Sequence, residues 1–245
     1  LLQARVAIAT ADRVVVLSRE DERFLARRSS GLKGNVVRIA NGVGSEFFDP
    51  ERVRNGGPPR ILFVGSWIDR KGINELVAAY AALAETNAVE LVLAGTGISA
   101  DDVLEAFPAA HRSNVRVIAR LDARELRVLH AACDLFVLPS WFEGMPLSVL
   151  EAAASGLPLV LSSTCGNIDI VRPASPENDG GLLVSPGDVD GLCNALRRLV
   201  RDPELREQMG QRAQTRAREF TWDRSVEALE RAYCAAASHP TVHGR

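Results

Sequence analysis

The sequence lacks the cysteine pattern that would build a metal site or a disulfide framework. Its four cysteines, Cys133, Cys165, Cys193 and Cys234, lie far apart, with no C-x-x-C pair and no histidine at metal-ligand spacing. Such usage suits a reducing cytoplasm. Also absent is any uninterrupted apolar run of the roughly 20 residues a membrane helix requires, and no basic region precedes an apolar signal core at the amino end. An excess of one charge is missing too. The formal net charge is -2 and the arginines are spread along the chain, so nothing attracts nucleic acid or an anionic membrane surface. The first residue is Leu1 rather than Met, from which we expect a chain trimmed from a longer one.

What is present is an ordinary globular composition. The 245 residues are 47% hydrophobic, enough to bury one or two cores. Short apolar runs read as strands at Arg60–Val64, Val89–Ala94, Val115–Ile118, Leu135–Leu138, Leu159–Leu161 and Leu182–Val184, with helix-length segments between them. Near-continuous hydrophobic strands alternating with helices predict a parallel sheet covered on both faces, a doubly wound α/β domain that binds ligands at the carboxyl ends of its strands. Upstream, a strand at Arg13–Leu17, a charged helix at Glu20–Arg28 and a strand at Val36–Ile39 look like the last βαβ piece of a preceding domain. The expected divisions are residues 1–40 for that piece, 41–59 for a Gly/Pro-rich linker, 60–220 for the main domain and 221–245 for a last helix and tail. Pro203–Glu219 and Trp222–Ala236 read as helices, and the tail from Ser238 as frayed.

The densest chemical signal runs from Pro139 to Glu151. A strand ends, a glycine-containing loop follows, and Pro146 or Leu147 opens a helix, where the missing proline N–H would be unpaired anyway. From Met145 to Ile168 the sole charged residue is Glu151, on a helix otherwise made of Leu, Val, Ala and Ser. A carboxylate there needs a partner, which a pair of ligand hydroxyls could supply. Glu143 falls at the strand's carboxyl end, ahead of a helix whose free N–H groups create an anion site. Two acids beside a helix N-terminus suit a phosphorylated sugar, the acids reading hydroxyls while backbone and helix dipole hold a diphosphate. Taken alone, the same residues also fit a surface loop acid and a buried structural one.

The Glu143-to-Glu151 spacing, with Gly144 and Pro146-Leu147 inside it and Ala152-Ala-Ala-Ser-Gly-Leu-Pro-Leu-Val160 after it, resembles the E-x7-E motif of glycosyltransferase family 4. Asn41-Gly-Val43 resembles that family's linker signature, Phe63-Val-Gly65 its first strand of the second domain, and Lys71-Gly72 its diphosphate-contacting lysine. Gly180-Gly-Leu-Leu-Val184 and Pro186-Gly-Asp188 match a later loop, so the likeness runs from Ala11 to about Tyr233. The resemblance implies a retaining glycosyltransferase of the two-domain GT-B type, of which this chain is mainly the nucleotide-sugar-binding half, a Rossmann-like doubly wound sheet. It implies a UDP- or GDP-linked sugar donor, no metal or other cofactor, and an acceptor glycan, lipid or small molecule reached through the other domain. Peripheral membrane association of the intact enzyme is compatible with it.

Roles follow residue by residue. Glu143, contacting the donor sugar near the reacting centre, and Lys71, neutralising the leaving diphosphate, become the catalytic pair. Glu151 takes the ribose hydroxyls. Gly65, Ser66, Arg70, Gly144, Met145, Pro146 and Leu147 line the donor, and Arg120 and Leu121 fall where the base is read. The sequence departs from the family in two places. Ser66 stands where many members have an arginine, with Arg70 as the candidate substitute, and the glycine pair after the next strand becomes Gly166-Asn167.

Asp188-Val-Asp190 matches a D-x-D metal motif but sits between Pro186-Gly187 and a helical run, which helix capping explains. Gly95-Thr-Gly97 lacks the third glycine of a dinucleotide fingerprint. His111 and His130 have no nucleophile constellation and read as structural or surface residues. The alternatives to glycosyl transfer are a GT-B-related epimerase or phosphorylase, or a non-catalytic nucleotide-sugar-binding protein. The presence of Glu143, which nucleotide binding alone would not require, disfavours the last.

Overall fold

The computed structural model describes residues 2–28, 35–48, 50, 51, 53, 56–171 and 180–238. It opens with a helix that no sequence signal announced, α1 (Leu2–Thr10), which has neither an acid in its first turn nor a base in its last. A small βαβ unit follows: β1 (Val14–Val16), α2 (Arg19–Arg28) and β2 (Val36–Arg38), with β1 and β2 paired in parallel. The Gly/Pro-rich stretch after it is not uniformly irregular. Ser45–Phe47 forms one 3-10 turn that buries Phe47, because an aromatic ring within reach of the core gains more by burial than the local chain loses in freedom.

The remaining elements alternate: β3 (Arg60–Val64), α3 (Ile73–Ala84), β4 (Glu90–Ala94), α4 (Ala100–Glu105), β5 (Val115–Ile118), α5 (Ala123–Ala132), β6 (Leu135–Leu138), α6 (Leu147–Ala154), β7 (Leu159–Ser162), α7 (Cys165–Val171), β8 (Gly181–Val184) and α8 (Val189–Arg201). Two further helices, α9 (Pro203–Ala217) and α10 (Trp222–Ser238), end the described chain. Helix α10 is regular through Ser238; the rest of the tail expected to fray lies outside the described residues.

Strands β3 to β8 form one wholly parallel sheet in the order β5-β4-β3-β6-β7-β8. This is the doubly wound architecture expected, and it explains the strand composition. Every residue of β6 and β7 is buried, so helices must cover both faces and the strands carry no polar alternation. Helix starts are fixed by side chains: Asp122 and Glu125 form a capping box on α5, Asp188 caps α8, and Asp202 caps α9 ahead of Pro203. The strand order reverses between β3 and β6, and at such a reversal adjacent loops diverge and leave a crevice.

The βαβ unit is tied to this sheet by an exchange of caps. Asp169 of α7 accepts the Arg19 N–H at the start of α2 at 2.7 Å, and Glu20 of α2 accepts the Cys165 N–H at the start of α7 at 3.0 Å. Each carboxylate satisfies an amide that its host helix cannot.

Candidate functional site

Two loops meet at the reversal of strand order, one leaving β3 and the other leaving β6. They are docked backbone to backbone: the Trp141 N–H donates to the Arg70 carbonyl at 2.9 Å. Gly72 has φ 71°, and a Cβ there would collide with the Pro139 carbonyl, so only glycine lets the first loop lie against the end of β6. This close approach brings together residues 72 apart in the chain. Lys71 Nζ lies 2.6 Å from Glu143 Oε1, and Arg70 Nη1 donates to the Phe142 carbonyl at 2.8 Å while standing 3.7 Å from Glu143 Oε2.

The Lys71 side chain is only 14% exposed and that of Glu143 8%, so neither is a freely solvated surface charge. A buried pair of this kind is costly to dehydrate and held by its partners. Two cations face one carboxylate, a local excess of positive charge able to receive an anionic ligand. Ser66 is exposed in the same loop, and Gly65, its neighbour, donates its N–H to Ala94 at 2.9 Å.

Three residues after Glu143, Pro146 is the N-cap of α6 and supplies no side-chain cap, so the amides of the first turn from Leu147 have no intrahelical partner. The turn ahead of it is packed tightly. A Cβ on Gly166 would run into the Gly144 carbonyl and come within 2.7 Å of Met145 Cα, and one on Gly144 would lie 3.3 Å from Leu17 Cδ1. Met145 is buried and Leu147 exposed. A Cβ on Gly95 would lie 3.8 Å from Leu121 Cδ2 and 3.9 Å from the Gly65 amide, so the loops leaving β3, β4 and β5 adjoin there. Arg120, next to Leu121 in the chain, is exposed.

Glu151 lies in the second turn of α6, and among the described residues no hydrogen bond or ion pair holds its carboxylate. Burial, and after it the charge of Glu46, push the Glu151 carboxyl above the usual carboxylate range. Glu46, in the 3-10 turn packed on α6, escaped the sequence reading; the Phe47-Phe48 pair within a Gly/Pro-rich stretch was the signal that this segment packs. A raised native pKa means the native state retains a proton the unfolded chain has released. The contribution is therefore fully favourable below the unfolded value and is lost as pH rises through the folded one. Glu151→Gln removes that loss, so its stability relative to the wild type should increase from about pH 4 towards neutrality. Urea unfolding across this range checks it; a difference independent of pH would contradict it.

After β7 the left-handed backbone position is Cys165, with φ 25°, one residue before the Gly166-Asn167 pair, while Gly166 must be glycine because of its approach to the Gly144 carbonyl. Asn167 is instead a fully buried residue donating to the Ser162 carbonyl at 3.0 Å. Asp188 accepts the Gly191 N–H at 2.8 Å, as capping requires. His111 pairs with Glu85 at 2.9 Å, and His130 is buried edge-on to Phe47 at 5.7 Å. A cavity of about 490 Å³ lies at the amino ends of β3 and β6 beside Arg60 and Asp134, the opposite end of the sheet from these loops. Parallel sheets of this kind receive ligands at the carboxyl ends, where Lys71, Arg70 and Glu143 stand. Among the described residues no helix is long and apolar enough to cross a membrane.

Comparison with known proteins identifies the family and the fold. The family model for glycosyl transferases group 1 matches residues 45–216. Sulfoquinovosyl transferase SQD2 of Arabidopsis thaliana is 33% identical over 202 residues, covering 77% of this chain and 38% of the relative. D-inositol 3-phosphate glycosyltransferase of Corynebacterium aurimucosum is 28% identical over 259 residues, covering 97% and 61%. Sucrose-phosphate synthase from Thermosynechococcus elongatus superposes with a TM-score of 0.82 at 27% identity, over 97% of this chain and 61% of that one. The chain thus spans about half the length of the curated relatives it matches. It belongs to the glycosyl transferases group 1 family.

Proposed function

We propose that this chain binds the nucleoside diphosphate of a sugar donor, UDP- or GDP-linked, at the carboxyl ends of β3 and β6, and that the intact protein transfers the sugar to an acceptor hydroxyl with retention at the anomeric carbon. The observation that carries this reading is the Lys71–Glu143 pair at the reversal of strand order, with Glu143 three residues ahead of the uncapped start of α6. A diphosphate can take the place of the Glu143 carboxylate on Lys71, releasing Glu143 to the sugar hydroxyls. The first-turn amides of α6 receive phosphate oxygens, and Arg70 adds a second positive charge. Glu151, without a partner among the described residues, accepts hydrogen bonds from the ribose hydroxyls. Gly65 and Ser66 border the diphosphate, Gly144 to Leu147 the sugar and phosphate, and Arg120 and Leu121 the base.

The bond between the anomeric carbon and the diphosphate oxygen breaks with its electron pair leaving on the diphosphate. Lys71 and the α6 terminus stabilise that growing charge more than they stabilise the bound donor. The acceptor oxygen bonds to the same face as its proton passes to a donor phosphate oxygen. No step requires a metal or other cofactor. Residues 1–40 then belong to an acceptor-side domain, 41–59 to a crossing segment, 60–220 to the donor domain and 221–245 to a returning helix, in a cytoplasmic protein whose acceptor is a glycan, lipid or small molecule.

The test is a screen of nucleoside diphosphate sugars with the intact gene product, scored for glycosylated acceptor and, by NMR, for product anomer. A product of retained configuration is expected. An epimerised donor, a sugar phosphate, an inverted product or no turnover at all would each overturn the assignment.

A further inference from the structure

We infer that Asn41 is a positioning residue for the start of α6, through which the segment joining the two parts of the chain acts on the donor site. The inference rests on the donor-site reading above. Residues 40–43 are fastened to the junction of α9 and α10. The Ala40 carbonyl accepts the Ser225 hydroxyl at 2.7 Å, and the Val43 N–H donates to the Phe220 carbonyl at 3.0 Å. Gly42 lies so close to the backbone of Thr221 and Trp222 that no Cβ fits, and Val43 forms a parallel bridge to Thr221. The two chain passages of the proposed domain division therefore meet at this point. From it Asn41 turns the other way: its side-chain amide donates to the Met145 carbonyl at 2.8 Å, across 104 residues of sequence.

The bond falls at a sensitive place. The Met145 carbonyl belongs to the peptide joining Met145 to Pro146, which has no N–H of its own, so fixing this carbonyl fixes the plane of the peptide that leads into α6. Pro146 is the N-cap, and the next amides are those left without helical partners. Gly166 presses on the same turn from α7 and Leu17 from the end of β1, but these are contacts of shape. Asn41 supplies the directional one. A displacement of residues 40–43 with the α9–α10 junction pulls on the Met145 peptide and re-aims the first-turn amides.

The chain contains two methionines, Met145 and Met209, both buried, so ¹³C-methyl labelling of methionine gives one reporter at the turn and one on α9. Asn41→Ala removes the donor, and Asn41→Asp keeps its shape while replacing the donor with an acceptor. Both should move or broaden the Met145 methyl resonance while leaving Met209 in place, and calorimetry should show UDP or GDP held roughly three- to tenfold more weakly, the loss of one ordering hydrogen bond. A shift of Met209 as well identifies general unfolding and sinks the specific role. An unmoved Met145 resonance, or one that moves while the nucleotide is held as tightly as before, overturns the coupling. If the wild type binds neither nucleotide, the donor-site reading fails, and the methyl pair alone then decides whether Asn41 holds the turn.

Discussion

Lys71→Ala in the intact enzyme should lower kcat by about 10²–10³-fold, with a smaller change in KM. That magnitude is the usual cost of removing one preorganised group aimed at charge that develops in the transition state. Lys71 is suited to this task because the docking of Gly72 on Pro139 holds its side chain, largely shielded, at 2.6 Å from Glu143. Shielding strengthens its interaction with a leaving diphosphate relative to that of an exposed lysine. The variant also strands Glu143, leaving it with Arg70 at 3.7 Å, so part of the effect is structural. Thermal unfolding measured alongside separates the two. A raised KM with kcat untouched would assign Lys71 to ground-state binding alone.

Glu143→Gln should give a different signature. It removes the acid that occupies Lys71 in the free protein, so the lysine meets the diphosphate without first giving up a partner. Nucleoside diphosphate affinity should therefore hold or rise, while transfer falls by a factor of order 10²–10³, as for other transition-state contacts. Calorimetry and steady-state kinetics on the same preparation read the two effects. The Lys71→Ala, Glu143→Gln double variant completes a cycle in which the two losses are strongly non-additive, because the groups touch. Weaker nucleotide binding by Glu143→Gln would mean that the pair binds the ligand as a unit and that no exchange of partners takes place.

The strands were legible because both faces of a parallel sheet are covered: Leu-Phe-Val-Leu at β6 can be little else when turn residues flank it. Helix α1 was not, since its apolar residues follow no helical period and it has neither an acid in its first turn nor a base in its last. Glu143, Lys71 and Glu151 could be picked from a motif, but their geometry could not. The ion pair joins residues 72 apart and depends on the neighbouring placement of β3 and β6, which local pattern does not specify. Glu46 and the Asn41 amide were invisible for the same reason. Both lie in a stretch whose glycines and prolines argue for irregular chain, whereas their partners are on α6 and the turn before it. Cys165 went unnoticed as the strained position after β7 because cysteine carries no turn signal, while the glycine beside it does.

The claim on which the rest depends is that the crevice between β3 and β6 holds a nucleoside diphosphate, with Lys71 on the phosphates and Glu151 on the ribose. Titration calorimetry of residues 1–245 with UDP and GDP, and with the corresponding monophosphates and 2′-deoxy diphosphates, tests it most directly. At least one diphosphate should bind, and Lys71→Ala should abolish its advantage over the monophosphate. Glu151→Gln should abolish its advantage over the 2′-deoxy form, a loss of about 1.5–3 kcal/mol for hydrogen bonds to a charged acceptor. Failure of both diphosphates to bind, or the persistence of both advantages in the variants, would contradict the account.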